Sequence, residues 1–109
     1  MNFDEYQKLS RETAIYPRQG NNFIYPTLGL VGETGEVADK ISKVIRDQDE
    51  KMSETTRQEL KKELGDVLWY LSNLAAELNL TLTEIAEANL EKLNSRKERG
   101  MLFGNGDNR

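Results

Sequence analysis

The chain contains neither cysteine nor histidine. Without cysteine there are no disulfides, no thiolate nucleophiles and no sulfur-ligated zinc. Without histidine there are no imidazole bases, no histidine-ligated metals and no Glu-x-x-His di-iron pattern. Proline is scarce, with two residues, and there is a single tryptophan. No apolar run is long enough to cross a bilayer and no leader pattern opens the chain, which predicts a cytoplasmic protein without a membrane partner. Basic charge is also in the minority, with 15 Lys and Arg against 19 Asp and Glu. That balance argues against a nucleic-acid polymer, whose binding rests on neutralising phosphates.

What remains for acid–base or metal chemistry is carboxylates, lysine, tyrosine and water. Carboxylate ligation suits hard cations, Mg²⁺ or its substitute Mn²⁺, before Zn²⁺. At 109 residues the chain predicts one domain, residues 1–109. A few helices of this size leave an apolar face uncovered, so a homo-oligomer is expected.

Periodicity predicts an all-α chain of four helices, a bundle completed by oligomerisation. Asn2 caps the first, with Glu5 three residues on and Phe3, Tyr6, Leu9 and Thr13 facing inward; it fades near Ile15. Tyr16 to Asn22 reads as a loop. Pro26 opens a second helix that runs to Arg46, striped by Leu30, Val37, Ile41 and Val44/Ile45. Gly29, Gly32 and Gly35 inside it suggest close approach by a ligand or a neighbouring helix. Ser53 caps a third helix, Glu54 to Leu78, striped by Leu60, Leu64, Val67/Leu68, Leu71, Leu74/Ala75 and Leu78. Asn79 stops it. Thr81 and Glu84 form a capping box, with Leu80 and Ile85 as a staple, for a fourth helix ending near Arg99. Gly100 to Arg109 is an irregular tail.

Two acid pairs stand out, Glu33 with Glu36 and Glu63 with Asp66. Each is spaced i,i+3, so on a helix both members lie on one face, a turn apart. Glu33 falls between Leu30 and Val37, and Glu63 between Leu60 and Val67, so both pairs abut the apolar stripes. Inward carboxylates are costly without partners, and a divalent metal between two facing helices would satisfy them. Either pair alone is more often a solvated surface, with Glu36 pairing Lys40 at i+4. Their joint occurrence favours a metal cage, able to hold phosphate oxygens and direct a water at phosphorus. On the fourth helix Asn89, Lys92 and Arg96 share a face and suit phosphate oxygens; a basic last turn complementing the helix dipole is the plainer alternative. Tyr70 shares the Asp66 face, and its hydroxyl can donate to a phosphate. Trp69 is assigned to core or interface. Gln19, Asn21 and Asn22 could read a base edge, though surface loop residues are commoner.

The stretch Gly-Leu-Val-Gly-Glu33-Thr-Gly-Glu36-Val-Ala-Asp, followed after a long spacer by Lys-Glu63-Leu-Gly-Asp66-Val-Leu-Trp-Tyr, closely resembles the MazG-like nucleotide pyrophosphohydrolases of the all-α NTP pyrophosphatase superfamily. Asn89-Leu-Glu-Lys92-Leu-Asn-Ser-Arg96 resembles that family's fourth-helix motif. The resemblance spans about Pro26 to Arg99. It implies a Mg²⁺-dependent hydrolase converting a nucleoside triphosphate, often a deoxynucleotide, to monophosphate and pyrophosphate. Glu33, Glu36, Glu63 and Asp66 would be the catalytic metal ligands. Tyr70, Asn89, Lys92 and Arg96 would hold the substrate. It further implies a homo-dimer or homo-tetramer serving nucleotide pool control or housecleaning. A hydrolase of another pyrophosphate, such as phosphoribosyl-ATP, and a non-enzymatic helical interaction module are the competing readings.

Overall fold

The computed structural model describes residues 1–109. Four helices and no strand make up the chain: α1 (Phe3–Glu12), α2 (Ile24–Asp47), α3 (Glu54–Glu77) and α4 (Leu82–Glu98). The ends follow local chemistry. Asn2 accepts from the Glu5 N–H at 2.9 Å, Ser53 from the Thr56 N–H at 3.1 Å, and Thr81 with Glu84 closes a reciprocal capping box. At the end of α3, Asn79 takes a left-handed φ of +56°. The Leu80 N–H then reaches back to the Ala75 carbonyl and the Asn79 N–H to that of Ala76, a Schellman stop. Helix α2 begins two residues earlier than the proline suggests. Pro26 sits in its first turn, where a missing N–H costs nothing, and Asn22 accepts from the Tyr25 N–H at 3.1 Å.

Helices α2 and α3 form a long antiparallel hairpin. Gly29 lies against Tyr70, Lys40 against Glu59, and Gln48 against Thr56. A Cβ on Gly29 would run into the Tyr70 ring, so only glycine allows this approach. A Cβ on Gly32 or Gly35 would meet nothing within 4 Å, so no neighbouring helix of the same chain requires glycine there. Helix α1 crosses α3, and α4 returns against α1. Gln7 ties the corner together: its amide donates to the Leu80 carbonyl at 2.8 Å and accepts from the Leu82 N–H at 2.9 Å.

The expected inner faces are only partly inside. Val44, Leu60 and Ala75 are buried, as is Leu82, which no stripe included, but Phe3, Leu9, Ile41, Ile45, Leu64 and Leu78 are exposed. The contact of α1 with α3 is polar instead. Ser10 and Ser72 share a hydrogen bond of 2.9 Å, Arg11 donates to Asn73 at 3.1 Å, and Ser72 and Asn73 are fully buried. Periodicity finds apolar faces and is blind to a seam made of serine, asparagine and arginine. No helix is long and apolar enough to cross a membrane.

Candidate metal centre

Antiparallel pairing brings Glu33 of α2 opposite Glu63 and Asp66 of α3. Carboxylate oxygens from these three residues all lie within 4.8 Å of one another. Glu33 and Glu63 are half-buried, and Asp66 is exposed. Glu36 is exposed and stands outside this trio. Three residues of helix leave it about 60° around the axis from Glu33, toward solvent. Its charge still reaches Glu33.

The trio is electrostatically strained. Burial, then the charges of Asp66 and Glu63, a proton-sharing contact with Glu63 and the charge of Glu36 raise the Glu33 pKa above the ordinary carboxylate value. The only Lys or Arg nitrogen within 4.0 Å of these acids is Lys40 Nζ, 3.9 Å from Glu63 Oε1 and 3.6 Å from Glu59 Oε2. Lys40 thus pairs across to α3 and not, as its spacing suggests, with Glu36 on its own helix. One ammonium at the rim leaves the acids under-compensated. Clustered carboxylate oxygens with nearby negative charge unbalanced are a donor set that fits a hard divalent cation.

Two tyrosines feel the charge of the acids. Burial raises the Tyr70 hydroxyl pKa first, followed by Tyr25, Glu33 and Asp66. Burial and then Asp66 raise that of Tyr6. Tyr6 was legible only as an inward residue of α1; nothing in its spacing connects it to an acid sixty residues away. Tyr70 is held by Gly29 beneath its ring, Tyr25 at 6.4 Å and an edge-on Trp69 at 4.9 Å. Trp69 is half-buried and donates to Thr13 Oγ1 at 2.8 Å, a structural position.

The α4 residues are organised by the tail. Arg96 is buried and donates to the Asp107 carbonyl oxygen and, at 3.4 Å, to its carboxylate, while Lys92 Nζ lies 3.3 Å from the same carboxylate oxygen. Both cations therefore converge on one anionic oxygen. Lys92 and then Arg96 hold the Asp107 carboxyl below its ordinary pKa. Asn89 is exposed and lines an apolar groove with Leu71, Leu82 and Ile85. The tail is shaped by Arg109, which donates to the carbonyls of Met101, Leu102 and Gly106.

Of the three loop residues proposed above to read a base, Asn21 is exposed and its side chain makes no hydrogen bond, while the other two are committed elsewhere. Asn22 is buried and donates to the Pro17 carbonyl, and Gln19 donates to the Arg11 carbonyl. They build the turn into α2.

An all-α hairpin carrying acids on both of its long arms defines a class of helical acid-cluster proteins. Within that class the chain belongs to the MazG family: the MazG nucleotide pyrophosphohydrolase domain matches residues 25–101. It is also 46% identical over 114 aligned positions to the Gene 37 protein of Mycobacterium phage L5, across the whole of both chains. No solved structure matches it.

Proposed function

We propose that the protein is a Mg²⁺-dependent nucleoside triphosphate pyrophosphohydrolase that yields a monophosphate and pyrophosphate. The observation that carries this reading is the convergence of Glu33, Glu63 and Asp66 oxygens within 4.8 Å across the α2–α3 hairpin. Family membership supports the reaction class. Glu33, Glu63 and Asp66 would hold the ion, with Glu36 at the edge, and Mn²⁺ would substitute. When bound, the cation offsets the charge of the acids and of the phosphate oxygens they would otherwise repel.

The chain's own groups do the rest. Lys92 and Arg96 take phosphate oxygens in the seat that the Asp107 carboxylate fills. Asp107 is solvent-exposed and Arg96 is not, so the acid is the partner that yields. The Tyr70 hydroxyl, whose pKa is raised first by burial and then by Tyr25 and the acids, donates to the triphosphate. Asn89 hydrogen-bonds sugar or phosphate. A carboxylate of the cluster accepts the proton of the attacking water. Removing surplus or modified nucleotides from the pool is the role that fits.

A homo-dimer or homo-tetramer is part of the reading. The radius of gyration is 16.9 Å, whereas a compact chain of this length has about 13 Å. Ile24, Leu28, Val31 and Ile45 are exposed along α2, as are Leu64 on α3 and Leu78 at its C-cap. Faces of this kind call for a partner surface.

The test is one screen of ribo-, deoxyribo- and modified triphosphates with Mg²⁺, detecting both products. Release of pyrophosphate with the matching monophosphate is expected. Cleavage of none of them overturns the proposal. Light scattering on the same sample is expected to give at least twice the chain mass, and a monomer mass would remove the oligomer.

A further inference from the structure

We propose that Lys40 and Glu59 form a counter-charge relay that guards the metal site: Lys40 shares its ammonium between Glu63 and Glu59, and moves wholly to Glu59 when a divalent cation takes Glu63. This rests on the reading of Glu63 as a ligand, and it assigns roles to two residues outside the ligand set.

The geometry is specific. Glu59 and Glu63 are one turn apart on α3, so both face the same point on α2. Lys40 Nζ occupies that point, 3.6 Å from Glu59 and 3.9 Å from Glu63. The acids of the trio have no other Lys or Arg within 4.0 Å. Past Glu59 the hairpin opens into a wholly polar cleft lined also by Lys43, Asp47, Gln48 and Thr56. Lys40 therefore has a hydrated direction to retreat in, and a second carboxylate waiting there. Without metal, the ammonium relieves repulsion among acids that α2 and α3 force together. A divalent cation on Glu63 repels the same ammonium at close range. Glu59 lowers the cost of its departure, because the lysine exchanges one carboxylate for another and never stands beside the ion unpaired.

Lys40 is thus a positioning residue that acts through Glu63, and its removal has a sign that a purely structural contact would not give. In the full-length protein at low salt, Lys40→Met is expected to bind Mn²⁺ about fivefold more tightly, because a competing cation is gone. Glu59→Gln is expected to bind it about threefold more weakly, because the lysine then stays on Glu63. The double variant should match Lys40→Met alone, since Glu59 acts only through the lysine. All differences should shrink at high ionic strength. Melting of the metal-free proteins supplies the second readout: Lys40→Met should melt lower than the wild type, its acids being less relieved.

Unchanged or weaker Mn²⁺ binding in Lys40→Met overturns the relay and leaves Lys40 as a strut between helices. An additive double variant overturns the role of Glu59. If the wild type binds Mn²⁺ and Glu63→Gln binds it equally well, the ligand reading itself fails, and the relay with it.

Discussion

Glu77 and Glu63 lie on the same helix about four turns apart, and they are treated in opposite ways. The Glu77 side chain has no solvent-accessible surface. It accepts from the Tyr16 hydroxyl at 2.6 Å, from the Gly20 N–H at 2.9 Å and from the Asn22 N–H at 3.2 Å, with Arg11 at 3.6 Å. Burial alone would raise its pKa, but these donors and the Arg11 charge outweigh it and hold the carboxyl below its ordinary value. Glu63 sits instead among other acids, with one lysine at the rim. A carboxylate surrounded by donors closes a loop. A carboxylate among carboxylates keeps a charge that its protein neighbours do not balance. The difference separates the end of α3 whose acid is fully paired from the part where the proposed metal site lies.

Four experiments break or sharpen that contrast. The largest effect belongs to Asp66→Asn, which keeps shape and loses a ligand charge. Hydrolysis should fall by at least about a hundredfold, while the far-ultraviolet circular dichroism stays that of the wild type. Turnover at the wild-type rate would remove Asp66 from the site. Next is Glu77→Ala, which leaves the loop donors and Arg11 without their acceptor. Urea unfolding should show a loss of about 3 kcal/mol, whereas Glu33→Gln, which relieves repulsion, should melt above the wild type when free of metal. Equal behaviour of the two variants would erase the distinction between the regions.

The third experiment is pH. The Glu77 pKa is lowered in the folded chain, so its contribution is complete above the unfolded value near 4.5 and is lost as pH falls through the folded one. The melting temperature of the wild type should therefore drop steeply below about pH 4.5, and that drop should be shallower in Glu77→Gln. The smallest pair concerns the α4 seat. Lys92→Ala should raise KM for the triphosphate about tenfold, with metal binding unchanged. Asp107→Asn should lower KM about twofold to threefold by removing the competing anion.

Much of the molecule was legible in its residues. Caps and stops are written locally, in Asn2, Ser53, Thr81 with Glu84, and Asn79, because each satisfies a backbone group a few residues away. The i,i+3 acids were legible for the same reason, since spacing fixes a helix face. Convergence of Glu33 with Glu63 and Asp66 was an inference about two helices, and the hairpin makes it; Glu36 stands apart because pairing selects one side of that face. Three things were hidden. Burial of Ser72 and Asn73 depends on partners more than fifty residues away. Tyr6 feels the charge of Asp66 only because α1 packs on α3. Lys40 prefers α3 to its helical neighbour because two acids there outbid one.

The polar seam between α1 and α3 has one more effect. Greasy side chains can slide past one another with little penalty, but the Ser10–Ser72 and Arg11–Asn73 bonds are directional and hold at a single offset. Moving α3 along its axis by one residue would break both at once, together with the Thr13 bond to Trp69. Helix α1 acts as a ruler for α3: it fixes the offset at which the two helices cross.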